Sequence, residues 1–340
     1  MMNPLNSLIS VIMPARNAGP YLLAAVESIL QQEKVKLELI LVDDHTTDGS
    51  VKELPAAVLN NKRLKYVAAE GNGVVAAMAT GYQLAQGEYI ARMDADDIAM
   101  PLRLFQQRTY LQQHPDIGIA GAKVKITGNE SVGKGLQLYE TWLNSLCDPA
   151  AIERDLFIES PIPNPTAFFR RTSYEQLGGY ADPEWAEDYD MWLRAQAAGI
   201  KMGKPEEVLL HWREHPSRLT HCDSRYHTKL FLKAKAYYLA TSQQYLKNRN
   251  AIIWGTGPNG VYIHDVLVEH DVNIEAFIEV NSRRIGGVKR GLPVLHFEVL
   301  NQYTDALIIG AVGARGARQE MRQALLQMGK REGHDFLFAA

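Results

Sequence analysis

The sequence predicts an α/β protein built around a mostly parallel sheet, and three observations lead to this prediction. Short apolar runs alternate with segments of helical periodicity along much of the 340 residues. Several runs end in polar clusters, as strands do at the ligand-binding edge of a parallel sheet. The alternation restarts near residue 251, after a long helical segment. Strands that alternate with helices form parallel sheets covered on both faces, so we expect two such regions.

The first half of the chain supplies the elements of the larger region. Apolar runs that stop at Pro, Gly or Asp predict strands, and apolar residues spaced by three and four positions predict helices. The predicted strands cover 8–13, 37–42, 64–67, 89–91 and 117–120. The predicted helices cover 21–32, 74–86 and 101–114, and Pro101 suits the first position of the third helix.

The second half contains a helix start, a long helical segment and a second α/β pattern. Acidic residues complement the dipole of a helix that begins at Glu187. The basic helical pattern over 225–248 predicts either a solvated face or an interfacial helix near anionic lipid. Further strands are predicted at 251–254, 276–279 and 306–310, with a helix from about Val261. We therefore expect an α/β domain over 1–222, a helical linker over 223–249 and a small Rossmann-like α/β domain over 250–340.

Composition excludes several classes of protein. A hydrophobic content of 46% and a charged content of 22% are ordinary for a globular protein, and the net charge of −3 gives no reason to expect nucleic-acid binding. Cys147 and Cys222 are too few for a disulfide framework. The start lacks a secretory signal, and no apolar run approaches the roughly 20 residues of a membrane span. We expect a cytoplasmic protein whose membrane contact, if any, is peripheral at the inner face.

Three carboxylates crowd into four positions after the strand predicted at 89–91. Asp94 and Asp96 alternate in an extended backbone and so can point to the same side, with Asp97 beside them. Like charges at such a distance repel unless a cation lies between them. A hard divalent cation that carries phosphate oxygens fits this arrangement. The alternative is a polar loop that caps the next helix.

Two more polar clusters follow predicted strands. Residues 14–17 come after the first strand, and Asp43 and Asp44 end the second. Since ligands bind beyond the carboxyl ends of parallel strands, all three clusters would converge on one edge. The alternative is that loops are polar in any case. His215 ends another polar stretch, and an isolated histidine is more often structural than a metal ligand.

Glycines open the second α/β region. Gly255, Gly257 and Gly260 form a G-x-G-x-x-G pattern between a predicted strand and a predicted helix, the context in which such loops bind phosphates. Glu279 lies about where a ribose-binding acid would fall. However, Pro258 removes one N–H from the loop, and the region is short. Either a ligand loop or a packing and oligomerisation role is compatible with the pattern.

Four ordered stretches resemble family 2 glycosyltransferases. They are SVIMPARN at 10–17, LVDDHTTDGS at 41–50, GEYIARMDADD at 87–97 and EDYDMWLR at 187–194. The resemblance covers about 8–220. It implies the GT-A fold, a nucleotide-diphosphate sugar donor such as a UDP-sugar, a divalent metal (Mn²⁺ or Mg²⁺) and inversion at the anomeric carbon.

The resemblance also implies site residues. The donor-binding positions are Pro14, Ala15, Arg16, Asn17, Asp44, Arg92, Asp94 and Ala95. Asp44 would accept the pyrimidine N3–H, and Asp96 would bind the metal together with Asp94 and His215. Asp188 would be the catalytic base, with Glu187 beside it. Two departures leave the nucleotide open, because His45 stands where a glycine is usual and Arg16 replaces a common aromatic residue.

The resemblance leaves the acceptor open. A glycan or a lipid-linked acceptor in cell-surface polysaccharide assembly is a family-level expectation. The segment over 127–163 would build its pocket, where Tyr139, Trp142 and the later Tyr174 either stack on sugars or pack in the core. The tail resembles the small Rossmann-like module of bacterial sugar O-acyltransferases, which implies no catalysis here. The oligomeric state stays open at this point, and the tail is the region expected to form the interface of a homo-oligomer.

Three other functions compete with this interpretation. A catalytically inactive sugar-nucleotide-binding or scaffolding protein would carry the same motifs. An NAD-linked oxidoreductase built on residues 250–340 would lack a substrate domain and leave the acidic clusters unexplained. A nucleotidyltransferase also uses strand-end carboxylates and a metal. It would need a glycine-rich phosphate loop after the first strand, and residues 14–19 match such a loop poorly.

Overall fold

The computed structural model describes residues 7–128, 132–246 and 249–340. Contacts divide the chain into two compact units. The first combines Met1–Ile152, Pro161–Asp182 and Ala198–Cys222, and the second combines Glu153–Ser160, Pro183–Ala197 and Asp223–Ala340. One division falls between Cys222 and Asp223, while the segment with Glu187 groups with the second unit. The division into a domain over 1–222, a linker over 223–249 and a domain over 250–340 stays a prediction.

The chain up to residue 222 forms ten strands among the described residues. They are β1 (Leu8–Ala15), β2 (Lys36–Asp43), β3 (Leu64–Ala68), β4 (Tyr89–Arg92), β5 (Ile98–Ala99), β6 (Ile117–Ala120), β7 (Lys123–Gly128), β8 (Phe168–Arg170), β9 (Lys201–Gly203) and β10 (Val208–Glu214). The helices are α1 (Leu22–Leu30), α2 (Ala56–Leu59), α3 (Gly73–Leu84), α4 (Arg103–Gln113), α5 (Lys134–Ser145), α6 (Pro149–Asp155), α7 (Arg171–Gln176), α8 (Glu187–Ala197) and α9 (Leu219–Cys222).

Two sheets organise the first unit. The larger has the order β3-β2-β1-β4-β8-β6-β9 across the described residues, and β1 is parallel to both β2 and β4. β8 is antiparallel to β4 and β6. The smaller sheet has the order β5-β10-β7. The mostly parallel sheet predicted from the sequence is confirmed, and the small sheet brings β10 beside the loop that follows β4.

The centre of the larger sheet is covered on both faces. β1 and β2 are apolar and buried along nearly their whole length, as expected for parallel strands between two layers of helices. On one face α3 lies very close to β1, because a Cβ at Gly81 would come within 2.4 Å of Ile12 Cγ2. The parallel pairing of β1 with β2 and with β4 places the carboxyl ends of these three strands at one edge.

The second unit contains a further sheet with its own helices. Its strands are β11 (Ala251–Trp254), β12 (Ile274–Glu279), β13 (Val288–Lys289), β14 (Leu292–His296), β15 (Leu307–Gly310) and β16 (Phe336–Phe338). Its later helices are α10 (Thr228–Thr241), α11 (Pro258–Glu269) and α12 (Ala317–Gln327). The sheet order is β13-β14-β12-β11-β15-β16, and the pairings from β14 to β16 are parallel. This is a doubly wound order in which the winding reverses between β11 and β15.

The long helix predicted over 225–248 is shorter in the structure. α10 ends at Thr241, because Ser242 adopts an extended backbone. The prediction of a solvated basic face is wrong for Lys235, which is buried and whose Nζ donates to Ile158 O at 2.8 Å and Ala339 O at 3.2 Å. Burial lowers the pKa of Lys235 to about 8. Across the described residues we find no helix with the length and apolar character needed to span a bilayer.

Candidate active site

The carboxyl end of β4 carries the densest group of acidic side chains. Asp94, Asp96 and Asp97 follow the buried Met93, and one carboxylate oxygen of each lies within 4.8 Å of the others. Met93 N donates to Ile12 O at 3.1 Å, so the end of β4 is held against β1. The structure therefore brings Asp94 and Asp96 together and adds Asp97, to which the sequence alone assigned no role.

Burial and mutual repulsion make this cluster electrostatically unfavourable by itself. Burial raises the pKa of Asp96, and the charge of Asp94 raises it further. The pKa of Asp97 lies well above its ordinary value, first because the residue is buried and then because of Asp96 and Asp94. Asp97 Oδ1 accepts the Arg213 N–H at 2.8 Å, whereas Oδ2 has no hydrogen-bond partner among the described residues. A cation at this position would reduce the repulsion among the three carboxylates and would give Asp97 Oδ2 a partner.

The end of β10 adds a histidine to the cluster. His215 Nε2 shares a hydrogen bond with Asp96 Oδ2 at 2.9 Å, and Nδ1 shares one with Ser217 Oγ at 2.9 Å. The His215 ring also packs on Tyr21, with 5.0 Å between the ring centroids. The two sheets thus place the predicted metal ligands Asp96 and His215 in direct contact.

Arg92 and Ala95 are buried residues next to the acidic cluster. Arg92 is 4% exposed, and its Nε and Nη2 both lie 3.0 Å from Asp94 Oδ1. Its guanidinium also lies 5.4 Å from the ring centroid of Tyr180. Ala95 is buried. The contacts of Arg92 are those of a residue that orients Asp94.

A second group lies at the ends of β1 and β2, which run side by side. Asp44 is buried, and its N–H donates to Ala15 O at 2.9 Å. Its Oδ1 accepts the Gly73 N–H at 3.0 Å, and Arg16 Nη1 lies 3.6 Å from Oδ2. The Arg16 side chain is 57% exposed, so the buried carboxylate faces a long cationic side chain on its solvent side.

The loop after Asp44 has a backbone conformation that suits the glycine of the family pattern, although this chain carries His45 there. His45 has a φ of 57°, in the left-handed region that glycine adopts most easily. Its Nδ1 lies 3.3 Å from Asp44 Oδ1, so the imidazole borders the same carboxylate. Asn17 Oδ1 accepts the Thr47 N–H at 2.8 Å. Asn17 therefore ties the loop after β1 to the loop after β2.

Sequence reasoning missed Arg213. Its Nη1 donates to Asp96 O at 3.0 Å, and its guanidinium lies 4.8 Å from the ring centroid of Tyr21. Arg213 thus binds the backbone of the acidic loop from β10. The available signal was the two-residue spacing of Arg213 and His215, which places both on one side of an extended strand.

Two buried polar side chains of α4 support the end of β4. Arg103 is wholly buried; its Nη2 donates to Arg92 O at 2.6 Å and its Nη1 contacts Met93 Sδ at 3.0 Å. Gln107 accepts from Arg103 Nε at 3.1 Å. Burial lowers the pKa of Arg103 to about 10, and the charges of Asp97 and Asp94 oppose that shift.

The predicted catalytic acids lie in the first turn of α8, in the second unit. Glu187 is wholly buried, and its Oε2 accepts the Tyr226 hydroxyl at 2.9 Å. Asp188 is only half-buried, and its Oδ1 accepts the Tyr189 N–H at 2.7 Å. Asp190 is buried and bound by Trp185, Arg194 and Tyr238. Asp188 is therefore the most accessible of these three acids.

The glycine pattern of the second unit lies between β11 and α11, as its context predicts. Gly255 has a φ of 133°, and a Cβ at Gly260 would come within 2.0 Å of Gly255 O, so both positions require glycine. A Cβ at Gly257 would meet no atom within 4 Å. Glu279 accepts hydrogen bonds from Thr256, from the Val280 N–H and from Arg284. Its carboxylate is thus occupied by the protein itself, which weighs against the ribose-binding role.

The aromatic residues proposed for sugar stacking differ in burial. Tyr174 is 2% exposed and packs edge-on against Phe169, so for this residue the packing interpretation is correct. Tyr139 and Trp142 are partly buried against the core. Residues 129–131, within the segment expected to form the acceptor pocket, lie outside the described residues.

Comparison with known proteins adds independent information. The family model "Glycosyl transferase family 2" matches residues 10–178. An uncharacterized glycosyltransferase of Haemophilus influenzae is 31% identical over 241 residues, which cover 68% of this chain and 74% of the relative. The amylovoran biosynthesis glycosyltransferase AmsE of Erwinia amylovora is 29% identical over 189 residues, which cover 55% of this chain and 68% of the relative.

A solved structure supports the fold. S. aureus TarS residues 1–349, crystallised with UDP-GlcNAc, matches with a TM-score of 0.56 and 17% identity, over 77% of this chain and 71% of that one. At this identity the match concerns the fold alone. Together with the sequence relatives, it identifies the chain as a glycosyltransferase of the GT-A type that belongs to glycosyl transferase family 2.

Proposed function

We propose that this enzyme transfers a sugar from a nucleotide-diphosphate donor, a UDP-sugar, to an acceptor hydroxyl, with a divalent metal and with inversion at the anomeric carbon. One observation carries the proposal: three carboxylates meet at the end of β4, and one buried oxygen of Asp97 has no partner among the described residues. This arrangement calls for a cation, and a diphosphate donor delivers anionic oxygens to the same cation.

The donor set of the cluster fits Mg²⁺ or Mn²⁺. Carboxylates and one imidazole are ligands that these ions accept, and a metal usually takes one or two carboxylates when phosphates complete its shell. We assign Asp96 and Asp94 as the ligands, with His215 beside Asp96. The metal, when bound, neutralises the charge that develops on the leaving diphosphate. Arg92 then orients Asp94, and Arg213 fixes the loop backbone.

The loops after β1 and β2 are assigned to the nucleotide. Asp44 is buried with its carboxylate facing Arg16 and would accept the N3–H of a pyrimidine. Pro14 and Ala15 would form the wall of the base pocket, and Asn17 would hold the two loops together through its contact with Thr47. The UDP-GlcNAc bound in the TarS crystals supports uracil as the first base to test.

Asp188 is assigned as the general base. The attacking hydroxyl loses its proton as it displaces the diphosphate from the opposite face of the sugar, which gives inversion in a single step. A carboxylate within hydrogen-bond reach accepts that proton. Of the three acids in the first turn of α8, Asp188 is the one that burial leaves accessible. Glu187 serves as a positioning residue through its bond to Tyr226.

The acceptor is proposed to be a glycan or a lipid-linked glycan in cell-surface polysaccharide assembly. The name of AmsE, an amylovoran biosynthesis glycosyltransferase, supports this class. A lipid-linked acceptor would bring the enzyme to a membrane surface as a peripheral protein. We also propose that the domains divide at residues 222 and 249. Self-association is proposed to occur through residues 250–340.

The first experiment is a calorimetric titration of UDP into metal-free protein, with and without Mn²⁺. We expect binding that depends on Mn²⁺ and that Asp96→Asn weakens. Exposed Asp116 supplies the matched control, since it precedes β6 at the edge of the sheet opposite the acidic loop, and Asp116→Asn removes one carboxylate there. The metal assignment would be refuted if Mn²⁺ adds no UDP binding beyond that of the metal-free protein, or if the binding that Mn²⁺ adds survives Asp96→Asn. A donor that binds but is never turned over with mixed acceptors would favour the inactive, scaffolding alternative.

A further inference from the structure

The second unit contains a surface pocket that the proposed transfer reaction does not use. The pocket has a volume of about 650 Å³ and lies along α12, between the loop that follows β15 and the residue Ala340. This volume is in the range of small-molecule sites. Its principal polar lining residues are Arg315, Arg318, Gln319, Arg322 and Gln323.

The three arginines do not share the same electrostatic situation. Arg322 forms a bidentate pair with Glu332, at 2.8 Å, and lies 3.6 Å from Asp155. Arg315 is exposed, and neither it nor Arg318 forms an ion pair within the described part of the chain. Arg318 Nε donates to Ala340 O at 3.3 Å. Arg315 therefore has no anionic partner among the described residues, while Arg318 is bound to Ala340 O and is influenced by the charge of Asp155.

Burial of Arg318 makes an anionic partner more favourable. It lowers the pKa of Arg318, an effect that Asp155 opposes and that the neighbouring charge of Arg322 reinforces. A cation that is partly withdrawn from water gains most from an anionic partner. The amides of Gln319 and Gln323 add hydrogen-bond donors, while Val312 and Leu326 supply apolar wall.

The pocket lies at the carboxyl end of β15, and ligands of parallel sheets bind at this edge. It is lined by the loop that follows β15 and by Ala340 after β16, so it lies on the side of β15 away from the winding reversal between β11 and β15. Asn259, at the start of α11, lies beside this loop, because a Cβ at Gly313 would come within 3.3 Å of its Nδ2. Gly316 precedes α12 with a φ of 84° and places the start of the helix at the pocket.

We propose that the pocket formed by Arg315, Arg318 and the 312–316 loop binds a phosphate-bearing ligand, at a site separate from the sugar-donor site. Phosphate oxygens pair with guanidinium groups through charge-assisted hydrogen bonds. The phosphate comes from either a soluble nucleotide or a lipid headgroup, because both present the same anionic group to the arginines.

The test uses the full chain with a chelator present, so that metal-dependent donor binding does not contribute. Inorganic pyrophosphate and UDP are titrated calorimetrically, and flotation is measured with phosphatidylcholine vesicles with and without phosphatidylglycerol. We expect saturable binding in at least one arm. Arg318→Gln and Arg315→Gln should each weaken it about tenfold. Asp96→Asn should leave it unchanged, which separates this site from the donor site.

Arg283→Gln provides the matched control, since it removes one exposed arginine of the same unit that does not line the pocket. Binding of pyrophosphate or UDP identifies a soluble ligand, and binding confined to anionic vesicles identifies a headgroup. The proposal is overturned if no probe binds, or if Arg283→Gln weakens binding as much as the two pocket variants.

Discussion

Lys204 is a buried cation whose charge state should control stability near neutral pH. The residue is 1% exposed, and its Nζ donates to Leu143 O at 2.7 Å. Burial lowers its pKa from 10.5 to about 7. The folded state therefore binds fewer protons than the unfolded state between these two values, so the free energy of unfolding rises as the pH increases through this window.

Replacement of Lys204 by methionine should reduce that rise. Methionine keeps most of the aliphatic volume and carries no titratable group, so the unfolding free energy should rise less steeply between about pH 7 and pH 10, and the rise that remains comes from Lys235, whose pKa is also lowered by burial, to about 8. Urea unfolding across this range measures the effect, with exposed Lys62→Met as the control. A wild-type curve that falls with pH over the window would contradict the assignment.

Asp188 is the residue whose loss should affect chemistry most specifically. Asp188→Asn keeps the shape and the acceptor for the Tyr189 N–H but cannot take a proton. General-base catalysis is typically worth 10²–10⁴-fold, so turnover should fall by about that factor while Mn²⁺-dependent UDP binding persists. Glu187→Gln, which still accepts from Tyr226, should lose less. Unchanged turnover in Asp188→Asn would remove this residue from the role.

At the scale of elements, α4 links three segments through one side chain. Gln107 Nε2 donates to Ala120 O at 3.1 Å, Gly121 O at 3.0 Å and Thr166 O at 2.7 Å. Gln107→Leu would leave these buried carbonyls without this donor and should cost about 3 kcal/mol in the free energy of unfolding. Urea unfolding measures it against Gln113→Leu on the exposed face of α4. Equal stability of the two variants would contradict the linking role.

The elements also show what could be predicted from sequence. Strands β1, β2 and β4 are central and buried on both faces, so their apolar runs and the polar residues that follow them indicated both the strands and the edge where they stop. β5 and β8 have two and three residues, too few for a periodicity to register. β10 was missed as a strand, and with it the contacts of Arg213, because its pairing with β5 and β7 joins segments far apart in sequence.

The same limit applies to buried polar groups. Arg103, Gln107 and Lys204 look like surface residues in the sequence, since their types are mostly exposed in proteins. Tertiary contacts with backbone carbonyls and with one another overrule that tendency. The left-handed backbone at His45 is likewise a property of the folded loop, which the departure from a usual glycine hinted at.

For the molecule as a whole, the two units should respond differently to metal. Mn²⁺ bound at the proposed site would relieve repulsion among Asp94, Asp96 and Asp97, which all lie in the first unit, and a ligand that binds the native state adds about 2.7 kcal/mol at 100 times its dissociation constant. Hydrogen exchange followed by mass spectrometry should therefore show slower exchange at 89–97 and 208–215 on addition of Mn²⁺. Peptides from 251–338 should exchange as before.

Asp96→Asn tests whether this protection comes from the acidic loop. In that variant Mn²⁺ should no longer slow exchange at 89–97, while exchange in the metal-free state should not become faster, because burial and the charge of Asp94 raise the pKa of Asp96 and disfavour its ionised form. Protection that spreads equally into 251–338, or that survives Asp96→Asn, would place the metal elsewhere. The two halves of the chain thus provide each other's control, since one carries the carboxylates and the other carries the arginine-lined pocket.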